Sequence, residues 1–373
     1  MPAAPRENVA FTVIVTVAVS LGALAVLVLL AVSHAPASTL IATVLAAVPV
    51  GPVVAAYIWL DRYEPEPKRL LTFGLLWGAC VATVVAVVIE GLGGVVGGLT
   101  NTAQVALLGP ITEEACKGLF LVLLFWWRRA EIDGILDGIV YAGMVGVGFA
   151  FTENILYLAS AYDGNNGMGP GGVHGITTTF VIRCVLSPFA HPLFTAFTGI
   201  GIGIAAGSRS SAVRWLAPLG GFVLAVVAHG VWNASTVYGF GSFVVVYAVL
   251  GAPAFAAMLS IALWARSSER RVLSTALTDA AGRGLIPASD IDWVVDLRAR
   301  RVARRHARVQ GGSEAVRAMR DYQQAAVELG YLHHRLLRGT APRDWQERGQ
   351  VFLSRIQADR PRFAFPGQVV PQR

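Results

Sequence analysis

Eight apolar stretches, each long enough to cross a bilayer, run through the chain at about 9–33, 38–60, 70–90, 103–127, 138–160, 178–206, 215–237 and 243–265. A helix needs about 20 apolar residues to pass the hydrocarbon core. Lipid admits only segments whose backbone polar groups are satisfied internally. The fold class this implies is all-α: a polytopic membrane bundle of about eight transmembrane helices over residues 1–265. The 14% of charged residues agrees, since soluble proteins carry about 25%. The first run is too long for the core of a signal peptide, and only Arg6 beside Glu7 precedes it, so an uncleaved first helix is expected.

Charge in the connections alternates. Arg6, Arg62, Lys68, Arg69, Arg128, Arg129, Arg209, Arg214, Arg266, Arg270 and Arg271 fall in every second connection, whereas 34–37, 91–102, 161–175 and 238–242 hold neither Lys nor Arg. By the positive-inside rule both termini face the cytoplasm, and the protein is a multi-pass component of the cytoplasmic membrane. After Ala265 the composition changes to that of a soluble helical tail, residues 266–373, with 20 basic against 11 acidic residues. A cationic segment that follows a last membrane helix suits the bilayer surface and its anionic headgroups better than nucleic acid, which is not expected as a partner.

Within the tail, Ser289 and Asp292 are placed as a capping box before Ile291 to Val295, Gly311-Gly312 as a break, and Ser313 as the start of an apolar-periodic run stopping at Gly330. Two or three short helices are expected, with the last dozen residues, rich in proline, disordered. Cys80, Cys116 and Cys184 lie in apolar stretches without CxxC spacing and read as small core residues. The chain has no GxxxxGK[ST], HExxH or GxSxG, so nucleotide-driven transport, zincin chemistry and a serine nucleophile lack their signatures.

A charged side chain at the centre of a membrane helix costs about 2.5 to 3.5 kcal/mol, yet Glu113, Glu114, Lys117, Glu153, His191 and His229 all fall within the apolar runs. Such a set must cluster or face water. At about 1.5 Å of rise per residue, counted from the outer end of each run, Glu113 lies about 15 Å deep, and Glu153 and His229 about 12 Å. One layer in the outer half therefore holds residues from four helices, provided that the helix of His191 enters the hydrocarbon near Arg183. Lys117 stands three residues after Glu114 and four after Glu113, which lets its ammonium reach both carboxylates. Pro110 suggests a helix broken at that point with a free N-terminus.

Imidazole and carboxylate together suit a borderline divalent ion, so Glu153, His191 and His229 make a three-ligand zinc site with an open position. Glu113 is then the base that activates water. The same parts without metal make a glutamate-type hydrolase, with Glu113 acting on water directly and His229 with Asn233 stabilising the oxyanion. Asn154 beside Glu153 is either an oxyanion donor or a helix-packing amide. Arg183 is expected to snorkel to the outer interface, or else to hold a substrate carboxylate. The segment 61–69, with Pro65 and Pro67, reads as a stiff extended connector.

These residues resemble the PrsW family of intramembrane proteases and, more distantly, the CAAX-type prenyl proteases and bacteriocin-immunity proteins. The resemblance covers about residues 50–240. It rests on Glu113-Glu114-Ala115-Cys116-Lys117, on Phe149 to Asn154, on His191 to Thr195, on His229 to Asn233 and on the EPEP loop at 64–67. The prenyl proteases end the second motif in His, where this chain has Glu153, so their ligand set does not transfer directly. The resemblance implies proteolysis of membrane proteins, typically the first cut of a single-span anti-sigma factor on its extracytoplasmic side, with the bilayer as the other partner. A proton- or ion-coupled transporter would also use buried Glu, Lys and His, and a non-catalytic scaffold would use them to join helices. Loss of activity without loss of the protein on substituting Glu113 separates the enzyme from the scaffold, and coupling to a proton gradient would mark the transporter.

Overall fold

The structure, a computed structural model, describes residues 9–129, 131–164, 171–342 and 344–368, without the side chains of 95 and 96. Among the described residues, seven helices are long and apolar enough to cross a membrane: α1 (Val9–Ser33), α2 (Pro36–Leu60), α3 (Lys68–Gly94), α5 (Ile135–Asp163), α6 (Gly172–Ala206), α7 (Ser211–Val237) and α8 (Phe240–Gly282). The other expected span is also helical. Its main part, α4 (Gly109–Trp127), carries Glu113, Glu114 and Lys117, and these three charges set it apart from the apolar seven.

The chain divides into two compact units. Of the described residues, the membrane unit holds those through Leu60 and Glu66–Ala262; Asp61–Pro65 belong with the chain from Leu263 onward. In the membrane unit α5 is the centre, 89% buried over its apolar stretch, against 17% for α1 and 11% for α2 and α7. Glycine lets neighbouring backbones reach it, as small residues do at membrane helix interfaces. A Cβ on Gly148 would lie 1.8 Å from the Leu75 carbonyl oxygen, and one on Gly199 2.1 Å from that of Gly138. The outer faces of α1, α7 and α8 expose Leu, Val and Trp, as helices facing lipid should.

Two expectations about backbone need correction. Pro110 does not follow a free helix end: a π-helical turn, Gln104–Leu108, runs directly into α4. A wider turn accommodates the hydrogen bond that proline cannot donate. The sixth span is interrupted instead. α6 proceeds from Gly172–Phe180 through a π-helical turn, Val181–Leu186, and resumes as helix at Ala190–Ala206. His191 stands on the first turn after that interruption.

In the second unit α8 ends at Gly282, followed by α9 (Ile291–Val295), α10 (Leu297–Arg338) and α11 (Trp345–Asp359). The Gly311-Gly312 break is present, Gly312 having φ +62°, but Gly330 does not stop the helix. A Cβ there would meet Leu273 at 2.7 Å, so this glycine serves close packing. Ser289 does not form the expected capping box: its hydroxyl donates to Asp290 (3.2 Å), and the side chain that caps a helix is Asp296, accepting from the Arg298 and Ala299 amides. The end of the chain is ordered as far as it is described. Phe363 and Phe365 are buried, and Arg360 bonds the fully buried Asp290 at 2.6 Å; residues 369–373 lie outside the described residues. The loop at 61–65 does more than connect, since the buried Arg300 donates to the Tyr63 carbonyl at 3.2 and 3.3 Å. Within the membrane unit, Tyr141 donates to the buried Glu66 at 2.6 Å.

Candidate metal centre

Helix α4 supplies three ionisable groups on two adjacent turns. The Lys117 ammonium donates to Glu113 Oε2 at 3.1 Å and to Glu114 Oε1 at 2.9 Å, the i,i+4 and i,i+3 contacts that a helix dictates. Its third neighbour is His191 Nδ1 at 3.1 Å, and it sits 3.7 Å over the Phe149 ring. Lys117 and Glu114 are completely buried, where unpaired charge would be prohibitive.

Glu114 is fully engaged. Besides Lys117 it accepts from His229 Nδ1 at 3.0 Å and from the Thr195 hydroxyl at 2.9 Å. Thr195 is one turn after His191, so the second half of α6 presents both to the cluster. Glu153, on α5, pairs with His191 Nε2 at 2.7 Å and with the Arg183 guanidinium. Arg183 also donates to Asn154 Oδ1 at 2.8 Å and stacks over Tyr157. The expected snorkelling of Arg183 is thereby corrected: a buried carboxylate on the next helix offers a better partner than the interface. Asn233 donates to the Val105 carbonyl at 3.2 Å, in the π-helical turn ahead of α4.

These contacts fix the tautomers. His191 accepts the ammonium at Nδ1 and so donates from Nε2 to Glu153; His229 donates from Nδ1 to Glu114, which in a neutral ring leaves the lone pair on Nε2. Those two lone-pair nitrogens lie 3.8 and 3.7 Å from Glu113 Oε2. One ligand atom each from Glu113, His191 and His229 falls within 4.8 Å of the others, and all three residues are buried. Sequence reasoning instead grouped Glu153 with the two histidines. Glu153 faces the opposite nitrogen of His191, so the trio gathered by the fold contains Glu113 in its place.

The donor set fits a divalent cation on three counts. Two neutral imidazoles and a carboxylate form a facial group of the kind that holds zinc. Each imidazole gives its other N–H to a carboxylate, an outer arrangement that orients metal-binding histidines. The centre's carboxylates Glu90, Glu113, Glu114 and Glu153 face two permanent cations, Lys117 and Arg183, a formal deficit that a dication closes. Phe194 stacks on His229 with ring centroids 4.8 Å apart and fixes that ring from the side.

Sequence reasoning missed Glu90, Thr112 and the role of Thr195. Glu90 stands at the end of its apolar run, where a carboxylate reads as reaching water, and its closeness to α4 is a matter of helix packing. Thr112 donates to it at 3.0 Å. Beside His191 a small pocket is lined by Asn154, Arg183, Ser187, Pro188 and Trp232, where the interruption of α6 leaves space.

Comparison with known proteins identifies the family. A family model described as PrsW family intramembrane metalloprotease matches residues 66–258, a span starting inside the EPEP loop and including all the residues above. The chain is 29% identical to Protease PrsW of Geobacillus kaustophilus (strain HTA426) over 193 residues, covering 50% of this chain and 76% of that protein. It is 28% identical to Protease PrsW of Bacillus subtilis (strain 168) over 183 residues, 47% of this chain and 74% of that protein. No solved structure matches. The match over more than half its length, with the charged centre of its bundle inside it, places this chain in the PrsW family of intramembrane metalloproteases.

Proposed function

We propose that the protein hydrolyses a peptide bond of a single-span membrane protein, of the anti-sigma-factor type, in the outer half of the cytoplasmic membrane, with both of its own termini in the cytoplasm. Glu113, His191 and His229 hold the metal, which we take to be zinc. The observation that carries this reading is the pairing of both histidines, through their second nitrogens, with Glu114 at 3.0 Å and Glu153 at 2.7 Å. A bound zinc ion supplies a polarised water and an electrophile for the scissile carbonyl.

The chain's own groups do the rest. Glu114 holds the His229 proton at Nδ1, and Glu153 holds that of His191 at Nε2, so each ring turns its other nitrogen toward Glu113, and a metal there would take the place of the Lys117 ammonium on His191 Nδ1. Lys117 holds Glu113 and Glu114 in register on one helix face. Arg183 holds Glu153 and positions Asn154, whose amide borders the pocket beside His191. That pocket receives substrate backbone next to the centre. The outer-half location follows from the charge alternation of the connections and supports a cut on the extracytoplasmic side.

The test is metal content and cleavage of a single-span substrate by purified protein, before and after chelation, beside His191→Ala and His229→Ala. Near-stoichiometric zinc in the wild type, lost in both variants together with cleavage, is the expected result. Chelator-resistant cleavage by metal-free protein would replace the reading with water activated by glutamate alone.

A further inference from the structure

Four carboxylates surround the centre, and three are committed. Glu114 is tied to Lys117, His229 and Thr195; Glu153 to His191 and Arg183; Glu113 to Lys117 while facing both histidines. Glu90 differs. Its hydrogen-bond partner is the neutral Thr112 hydroxyl at 3.0 Å, it makes no ion pair among the described residues, and it is half-buried. A hydrolytic centre needs a carboxylate that gains and loses a proton during each turnover, and one clamped by an ammonium or guanidinium is poorly suited to that task.

Glu90 also faces the correct space. A Cβ built on Gly109 would lie 3.7 Å from Glu90 Oε1 and 3.8 Å from Glu113 Oε1, so carboxylates from α3 and α4 converge on one gap floored by the Gly109 Cα. The backbone of Gly109 is ordinary right-handed helix, φ −54° and ψ −58°, which any residue adopts. Glycine in a helix costs about 1 kcal/mol relative to alanine, and conformation gives no reason for it at this position. Space does: the position a methyl would fill lies between the two carboxylates, 3.7 and 3.8 Å from their oxygens, and a water bound near it would link them within the single-water reach that proton transfer allows.

Building on the metalloprotease reading above, we propose that Glu90 is a catalytic residue, the proton carrier of the hydrolysis. An O–H bond of the attacking water breaks, its proton passes to a Glu90 oxygen, and the water oxygen bonds to the scissile carbonyl carbon. The C–N bond then breaks, Glu90 returns the proton to the departing amine nitrogen, and the carboxylate is restored. Thr112 is a positioning residue that holds Glu90 Oε1 toward the gap.

The experiment measures zinc content, cleavage of a single-span substrate and its pH profile for the full chain in lipid vesicles, with Glu90→Gln, Glu90→Asp, Gly109→Ala and Glu113→Gln. Glu90→Gln is expected to keep wild-type zinc and lose about 10²- to 10⁴-fold in kcat, with the acidic limb of the profile gone; Glu90→Asp restores part of the rate with that limb displaced. Gly109→Ala, whose methyl meets no atom closer than 3.4 Å, keeps zinc and fold but loses cleavage by displacing the water. Glu113→Gln loses the metal itself. Cleavage by zinc-loaded Glu90→Gln at close to the wild-type rate would overturn the assignment of Glu90 alone, as would loss of zinc in that variant. A wild-type protein that cleaves without metal would overturn the metalloprotease reading, whatever Glu90 does.

Discussion

The membrane unit and the tail unit each bury charge, and they use it differently. In the membrane unit Lys117 is shared among Glu113, Glu114 and His191, and every bond aims a reactive atom at one point. In the tail, the fully buried Asp290 takes Arg360 at 2.6 Å and Tyr322 at 2.6 Å, and those bonds secure the final turn of chain against α9 and α10. Burial makes a partly satisfied network costly in both. The first is arranged around groups that must react, the second around groups that must stay.

Breaking the first should have the larger effect. Loss of the ligand in His229→Ala should abolish both metal binding and cleavage. Glu114→Gln or Glu153→Gln leaves a histidine without its carboxylate and should cost about 10- to 100-fold in metal affinity or cleavage, read by metal titration and by turnover. Breaking the second, by Arg360→Met, leaves Asp290 uncompensated and should destabilise the tail by about 3–5 kcal/mol. Limited proteolysis of the full chain would then cut within residues 345–368 at lower denaturant, while the zinc content stays at its wild-type level.

A subtler probe acts on helix packing alone. Gly148→Ala forces a methyl to 1.8 Å from the Leu75 carbonyl, so α3 and α5 must separate, and overpacking of this kind costs about 1–3 kcal/mol. The thermal midpoint in detergent should fall, and cleavage with it, since α3 carries Glu90 and α5 carries Glu153.

The smallest expected effect is one of pH. Burial and the neighbouring Asp321 carboxyl push the Asp359 carboxyl up to about 6. A carboxyl raised in the folded state contributes stability that is full below its ordinary value of 3.8 and is lost as pH rises through about 6. Hydrogen exchange in α11, corrected for intrinsic rates, should be slower at pH 5 than at pH 8. In Asp359→Asn that difference should shrink, which would tie it to this side chain.

The two units also differ in how far the sequence declares them. A glutamate or histidine inside an apolar run stands against a background where it is costly, so six of the cluster's residues are legible from the amino-acid order alone. Their partners are not: whether Glu113 or Glu153 joins the histidines depends on which nitrogen of His191 faces which helix. Position along a run gives depth and leaves azimuth open. In the tail, Asp290, Arg300 and Arg360 sit among many exposed charges with no pattern to mark them, so the buried network and the ordered chain end carry no signal. All eight spans are legible as apolar length, α4 among them despite its three charges, and the interruption of α6 is hidden within a continuous apolar run.

The glycine contacts of α5 have a mechanical consequence. Where backbones touch without side chains between them, a helix has no soft layer through which to slide or rotate, and α5 is gripped in this way from α3 and α6 at once. It behaves as a fixed rail. A gate for an incoming polypeptide must therefore be sought among α1, α2, α7 and the apolar part of α8, which are little buried, and crosslinks placed between α5 and α3 should leave turnover intact.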